Sequence, residues 1–300
     1  MNQLKYPKLS LEDYTQQFIT ENNIQIPKQT INICISGGGL SNLYALGVLF
    51  VIHKLKEKND LDIHHIYTAS GGAIISFFIL LVMYRDTFEE KHRQNIDDIF
   101  CIVNNTLRNK YEKNTYIVDN LMEIIEEFIP PDFYLVCNNK LFITIHTFHN
   151  YFIRHENIHE YTSNKHLINT IKCSCAIPFL TVNTFYNFYN DPVSNKKIYS
   201  FDGIYPEIMN TNNDNNHPIL CIDVLFHKYP VINRFRINDK LYDFLPLEGI
   251  IDTIKLLKFS EECKYIYFYK KQTTIQFILY NFFTVTVFTI QQIFILVFQL

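Results

Sequence analysis

Ile31-Asn32-Ile33-Cys34-Ile35-Ser36-Gly37-Gly38-Gly39 and, one helix later, Ile63-His64-His65-Ile66-Tyr67-Thr68-Ala69-Ser70-Gly71-Gly72-Ala73 decide the fold. Each is an apolar run that stops at a cluster of residues with little or no side chain, the pattern of a buried strand turning sharply into a helix. Between them Leu43, Leu46, Leu49, Phe50 and Leu55 recur at helical spacing, and residues 73–83 read as a strongly apolar helix. Strand, turn, helix, strand, turn, helix implies a parallel sheet with right-handed crossovers, hence an α/β fold.

Outward from this centre, further strands are expected at 141–147, 198–201, 219–226 and 265–269, and helices at 166–173 and 250–259. Residues 1–28 form a polar lead-in with a short helix near 11–18, and the main domain spans 29–270. Within it, residues 85–131 are charged, helical in pattern and expected as an insertion able to cover a site. Residues 210–216 are an Asn-rich surface loop.

Glycine supply sharpens this reading. Average usage would give about 21 glycines in 300 residues, and the chain has 8, with alanine scarcer still. Asn, Ile, Lys, Tyr and Phe abound instead, as an AT-rich genome would produce. Surviving small residues should mark places where the backbone tolerates nothing larger. Gly37, Gly38, Gly39 and Gly47 form one group, Gly71 and Gly72 another, Gly203 follows Asp202, and Gly249 lies apart.

A net charge of -3 argues against a nucleic-acid surface. Seven cysteines, odd in number and mostly within apolar runs, read as free thiols of a reducing compartment. They leave no metal quartet. Residues 1–23 are polar and lack the apolar core of a signal peptide. Residues 272–300 carry no charge and are dominated by Ile, Phe, Val and Leu, long enough to span a bilayer as a helix. Lys270 and Lys271 precede them, so a C-terminal anchor would leave the main domain on the cytoplasmic face of a membrane. A buried C-terminal helix or strand pair is the competing reading.

Three points carry chemistry. Successive glycines 37–39 at a strand-to-helix turn expose backbone N–H groups suited to an anion or a developing oxyanion. A dinucleotide-binding turn would place an acidic residue at the end of the second strand, whereas Asp60 and Asp62 precede that strand and Ser70 occupies its end. Ser70, at a strand-to-helix turn among small neighbours, fits a nucleophile elbow, with Thr68 where G-x-S-x-G has its first glycine. Asp202, at the end of a short strand, could take the Ser70 proton directly. A triad with His217 or His227 as base and Asp202 or Asp223 as orienter remains the alternative.

Ser36-Gly37-Gly38-Gly39 with Gly47-Val48-Leu49, the Ser70 elbow, Cys173-Ser174-Cys175-Ala176-Ile177-Pro178-Phe179 and Asp202-Gly203 resemble, in order and spacing, the patatin-like phospholipases. The resemblance covers roughly residues 32–208. It implies a three-layer α/β/α sandwich and hydrolysis of lipid acyl esters by a Ser-Asp dyad. Ser70 would be the nucleophile, Asp202 the base, and Gly37, Gly38 and Gly39 the oxyanion donors, with no metal and no cofactor. The partners implied are a glycerolipid and a membrane. Departures from the family pattern stand at Ser41 and Asn42, at Thr68 and at Ile204. A lipid-binding relative with impaired hydrolysis and a nucleotide-binding protein are the readings that compete with the hydrolase.

Overall fold

Residues 31–35 bury every side chain, as a strand enclosed on both faces and both edges must. In the computed structural model they belong to β1 (Gln29–Ile35), at the centre of an eight-stranded mixed sheet. The structure describes residues 11–24, 26–58, 60–93, 116–149, 152–177, 181–184, 187–192, 196–204, 206, 217–225, 239–261 and 263–269.

On one side β1 pairs in parallel with β2 (Leu61–Ala69), and on the other with β7 (Ile219–Ile222). β2 pairs in parallel with β3 (Leu141–His149), so the sheet centre is parallel. Its margins are antiparallel: β4 (Phe152–Ile158) and β6 (Lys197–Phe201) on β3, β5 (Asn187–Asn190) on β6, and β8 (Ile266–Phe268) on β7. This is the α/β class expected, with a parallel-centred sheet flanked by helices.

β3 has an arrangement that decides where the chemistry lies. Ile143 and Thr144 pair with β2 on one edge and with β4 on the other, while His146, Thr147 and Phe148 pair with β6 and with β4. β2 and β6 therefore share one edge of β3 and point at each other. β2 stops with Ala69 beside Thr144, and β6 stops with Phe201 beside His146. Residues 70 and 202, the next in each strand, are forced to meet.

The helices are α1 (Leu11–Glu21), α2 (Leu43–Glu57), α3 (Gly71–Met83), α4 (Ile117–Phe128), α5 (Phe133–Cys137), α6 (Asn164–Ser174) and α7 (Asp239–Phe259). Their buried side chains, among them Ile19, Leu49, Phe77, Leu121, Phe133, Ile171 and Ile254, join one cluster with Ile31, Ile33 and Ile35. The opposite sheet face carries a smaller cluster of Cys34, Tyr67, Cys221 and Ile204.

Some boundaries differ from expectation. β7 ends at Ile222 rather than 226, because Ser36 diverts the following amides. α7 begins well before residue 250 and contains Pro246. β4 and β5 were not expected. In the 85–131 insertion, α4 buries Val118, Leu121, Met122 and Ile125 in the main core. Residues 94–115 lie outside the described residues, as do Lys270, Lys271 and the 272–300 segment. Among the described residues no helix is long and apolar enough to cross a membrane.

Gly47 and Gly249 explain how closely α2 and α7 pack. A Cβ on Gly47 would stand 1.9 Å from the Pro246 carbonyl oxygen, and one on Gly249 would stand 2.1 Å from that of Tyr44. The two backbones touch through both glycines, and Tyr44 seals the contact with a hydroxyl bond to Asp252 Oδ2 at 3.0 Å. Gly47→Ala should therefore destabilise the fold by about 3 kcal/mol, the overpacking range, read as a lowered midpoint of urea unfolding.

Candidate active site

The end of β1 is shaped by Ser36, which is fully buried. Its hydroxyl accepts from the N–H groups of Val224 (2.9 Å) and Leu225 (3.2 Å) and donates to the Gly37 carbonyl (3.0 Å). One donor and two acceptor sites are all a hydroxyl has, so Ser36 is saturated and pins the glycine loop to the end of β7. Gly37 N–H donates to the Ile204 carbonyl at 2.7 Å. This corrects the expectation for Gly37: its amide is already engaged and is not an open oxyanion donor. Gly39, at φ 56°, adopts a backbone that favours glycine, and its N–H finds no acceptor among the described residues.

Asn42 was noted only as a departure, yet it is 1% exposed and lies between the two glycine turns. One end of its amide faces a carbonyl and the other faces two N–H groups, which sets its orientation. Nδ2 donates to Ser36 O (3.2 Å), and Oδ1 accepts from Gly72 N–H (3.2 Å) and Gly38 N–H (3.3 Å).

Ser70 sits at φ 51°, ψ -133°, a strained conformation for a residue with a side chain. The strain is held from outside: Ser70 N–H donates to Ser174 Oγ at 2.8 Å, and Ser174 Oγ donates to Thr144 O at 2.7 Å. Ser174 belongs to the Cys-Ser-Cys-Ala-Ile block at the end of α6, which thus supports the turn. The same block holds the third strand end. Ser174 O accepts from Gly203 N–H (2.9 Å), and Ala176 O accepts from Asp202 N–H (3.2 Å).

Thr68 occupies the position a nucleophile elbow keeps free of side chain. It fits because α3 approaches through Gly72, where a Cβ would lie 2.8 Å from Thr68 Oγ1 and 2.9 Å from Ile35 Cγ2. The fit leaves Thr68 Oγ1 buried with no hydrogen-bond partner among the described residues.

Asp202 is 5% exposed and completes the site. Its Oδ2 accepts from Ser70 Oγ at 2.6 Å, and its Oδ1 from Ile204 N–H at 2.9 Å. Burial pushes the carboxyl up to about 6, against the two hydrogen bonds, which favour the charged form. Its backbone is fixed by His146, whose Nδ1 lies 2.6 Å from Asp202 O. A carbonyl only accepts, so Nδ1 carries the proton. Burial and neighbouring His155 lower the His146 imidazole to about 4, so it is neutral at pH 7. His146 gave no signal in the sequence, since it acts through a backbone atom far along the chain, whereas Ser174 lies in the Cys173–Phe179 block that the sequence marks out, although its bonds cannot be read there.

Of the residues singled out beforehand, the structure gathers Ser70, Asp202 and the glycine loop. A Cβ on Gly37 would lie 3.1 Å from Ser70 Cβ, and one on Gly71 would lie 2.6 Å from Gly39 O. It does not gather the triad. His217 packs against His64 just before β7, at the end of the sheet opposite Ser70, and His227 lies outside the described residues. Asp223 Oδ1 instead accepts from Leu225 N–H. The dinucleotide reading also fails on geometry, because Asp62 pairs with Lys56 at the beginning of β2, away from the glycine turn. Among the described residues no group of His, Cys, Asp or Glu could hold a metal ion.

A parallel-centred sheet with a glycine loop, a strained serine and a buried aspartate at its carboxyl ends defines a class of serine hydrolase-like folds. The chain belongs to the patatin-like phospholipase family, whose sequence model matches residues 33–206. No curated protein and no solved structure is significantly similar to it.

Two stability measurements test this description. Thr68→Val removes the orphaned hydroxyl while keeping the shape, and should stabilise the protein by about 1 kcal/mol, read by urea unfolding. The Asp202 carboxyl, raised to about 6 in the folded protein, binds more protons there than in the unfolded chain between about pH 4 and 6. Its contribution is therefore fully present below pH 4 and is lost as pH rises through 6. Asp202→Asn should gain stability relative to wild type across that window, a difference that leaves out the opposing titration of His146.

Proposed function

We propose that this protein is a serine acyl hydrolase that cleaves carboxylic esters of glycerolipids, of phospholipase A or lysophospholipase type. The observation that carries the reading is the 2.6 Å hydrogen bond from Ser70 Oγ to a buried Asp202 carboxylate, with no histidine among the partners of Ser70 and no cation beside Asp202 among the described residues.

In this mechanism Ser70 Oγ attacks the ester carbonyl carbon as Asp202 Oδ2 takes its proton. Negative charge develops on the carbonyl oxygen and is received by the Gly39 N–H, with the Gly38 N–H that Asn42 holds only at 3.3 Å. Collapse expels the lipid alcohol, which recovers the proton from Asp202, and leaves an acyl-serine. Water, deprotonated by Asp202, then releases the fatty acid and restores Ser70. An aspartate near its usual range would be a poor base for a serine hydroxyl. Desolvation to about 6 raises its basicity while leaving it ionised at neutral pH.

The family's lipid substrates support this substrate class, and the apolar 272–300 segment supports action at the cytoplasmic face of a membrane. Purified protein incubated with labelled phospholipid and with short-chain aryl esters should release acyl groups. Ser70→Ala and Asp202→Asn should each lower kcat by about 10³-fold or more. The pH profile of kcat/KM should rise through about pH 6 as Asp202 ionises. Wild-type activity that survives Ser70→Ala would refute the reading.

A further inference from the structure

Helix α3 presents a conflict. Its N-cap residue is Ser70, and an N-cap serine ordinarily turns its hydroxyl back to accept from the N–H two or three residues on. Ser70 makes no such bond, because its hydroxyl is turned to Asp202. The N–H of Ala73 is satisfied by the Ser70 carbonyl at 2.8 Å, which leaves that of Gly72 as the amide a Ser70 cap would take. A buried, unsatisfied Gly72 N–H would compete with Asp202 for the Ser70 oxygen.

Asn42 resolves the conflict from another helix. Its Oδ1 accepts from Gly72 N–H at 3.2 Å, while the same oxygen reaches Gly38 N–H and the amide nitrogen is anchored on Ser36 O. We infer that Asn42 is a positioning residue, a surrogate N-cap for α3 that frees the Ser70 hydroxyl for Asp202 and locks the oxyanion loop onto the nucleophile turn. It touches no substrate and acts entirely through Ser70 and the glycine amides. Two features make the bridge specific. The side chain is nearly fully buried, so bulk water does not reach these amides while Asn42 is in place. Gly71 leaves room for it, since a Cβ there would stand 3.0 Å from Asn42 Oδ1, the end of the amide that receives the Gly72 N–H.

The inference rests on the hydrolase reading for its kinetic consequence and on geometry alone for the cap. In Asn42→Ala the freed Gly72 amide draws Ser70 Oγ from Asp202. The expected result is kcat lower by about 10- to 100-fold with KM nearly unchanged, the scale of a misplaced reacting group. The acid limb should also move above pH 6, because the Ser70 bond that favours ionised Asp202 is weakened. A generally loosened structure would admit water to Asp202 and move that limb the other way. Amide hydrogen exchange needs no turnover: in the Ser70→Ala background, where no serine hydroxyl can cap it, Gly72 should stay protected with Asn42 in place and lose protection when Asn42→Ala is added, while Ile33 in β1 keeps it in both.

Unchanged kcat and acid limb in Asn42→Ala would overturn the inference, as would unchanged Gly72 protection when Asn42→Ala is made in the Ser70→Ala background. Should wild type show no Ser70-dependent acyl release, the hydrolase reading falls, and Gly72 exchange alone decides the cap.

Discussion

A carboxylate withdrawn from water, with no cation beside it among the described residues and a serine hydroxyl as its side-chain partner, is the arrangement around which this structure is organised. An ionised Asp202 in that place is unfavourable on its own, so it persists only because the backbone leaves it nowhere else to go. Along one edge of β3 two strands approach head to head and end one residue short of each other. The remaining contacts follow: Ser174 holds both strand ends, His146 fixes the Asp202 carbonyl, and Ser36 closes the glycine loop against β7. Such strain and burial belong to function more than to stability.

Much of this was legible in the amino-acid sequence, and the reason is physical. β1, β2, α2 and α3 announce themselves because parallel strands buried on both faces are continuous apolar runs, and because glycine was scarce enough to stand out where backbones touch. Gly47 and Gly249 belonged to one contact that spacing could not reveal, since it joins two helices about 200 residues apart. β4 escaped because Arg154, His155, Glu156 and Asn157 give an edge strand no apolar signature. Ser70 and Asp202 were found by motif, and no local pattern could have shown that they touch. His146 acts on a backbone atom of a distant residue, which leaves nothing for a pattern to record, and although Ser174 fell in a motif block and Asn42 stood out as a departure, the backbone groups they reach could not be read there.

The departures from the family pattern turn out to be different in kind. Thr68 is tolerated by α3 approaching through Gly72, at the expense of an unpaired hydroxyl. Asn42 gains a role, since it satisfies amides that no other described group reaches. Ile204, a β-branched residue at φ 54°, holds a conformation it would rarely choose. Its side chain is buried with Cys34, Tyr67 and Cys221, an apolar environment that helps to offset the strain.

Ile204 is also bonded in both directions, its N–H to Asp202 Oδ1 and its carbonyl to Gly37 N–H. One peptide-length strut therefore spans from the carboxylate to the glycine loop. Any displacement of one is transmitted to the other at nearly fixed separation, so the distance between the Asp202 carboxylate and the glycine loop behaves as a rigid gauge. In the proposed acyl hydrolase, substrates of different bulk are then accommodated by surfaces outside this gauge, which makes chain-length and head-group preference separable, in evolution or by engineering, from the chemical step itself.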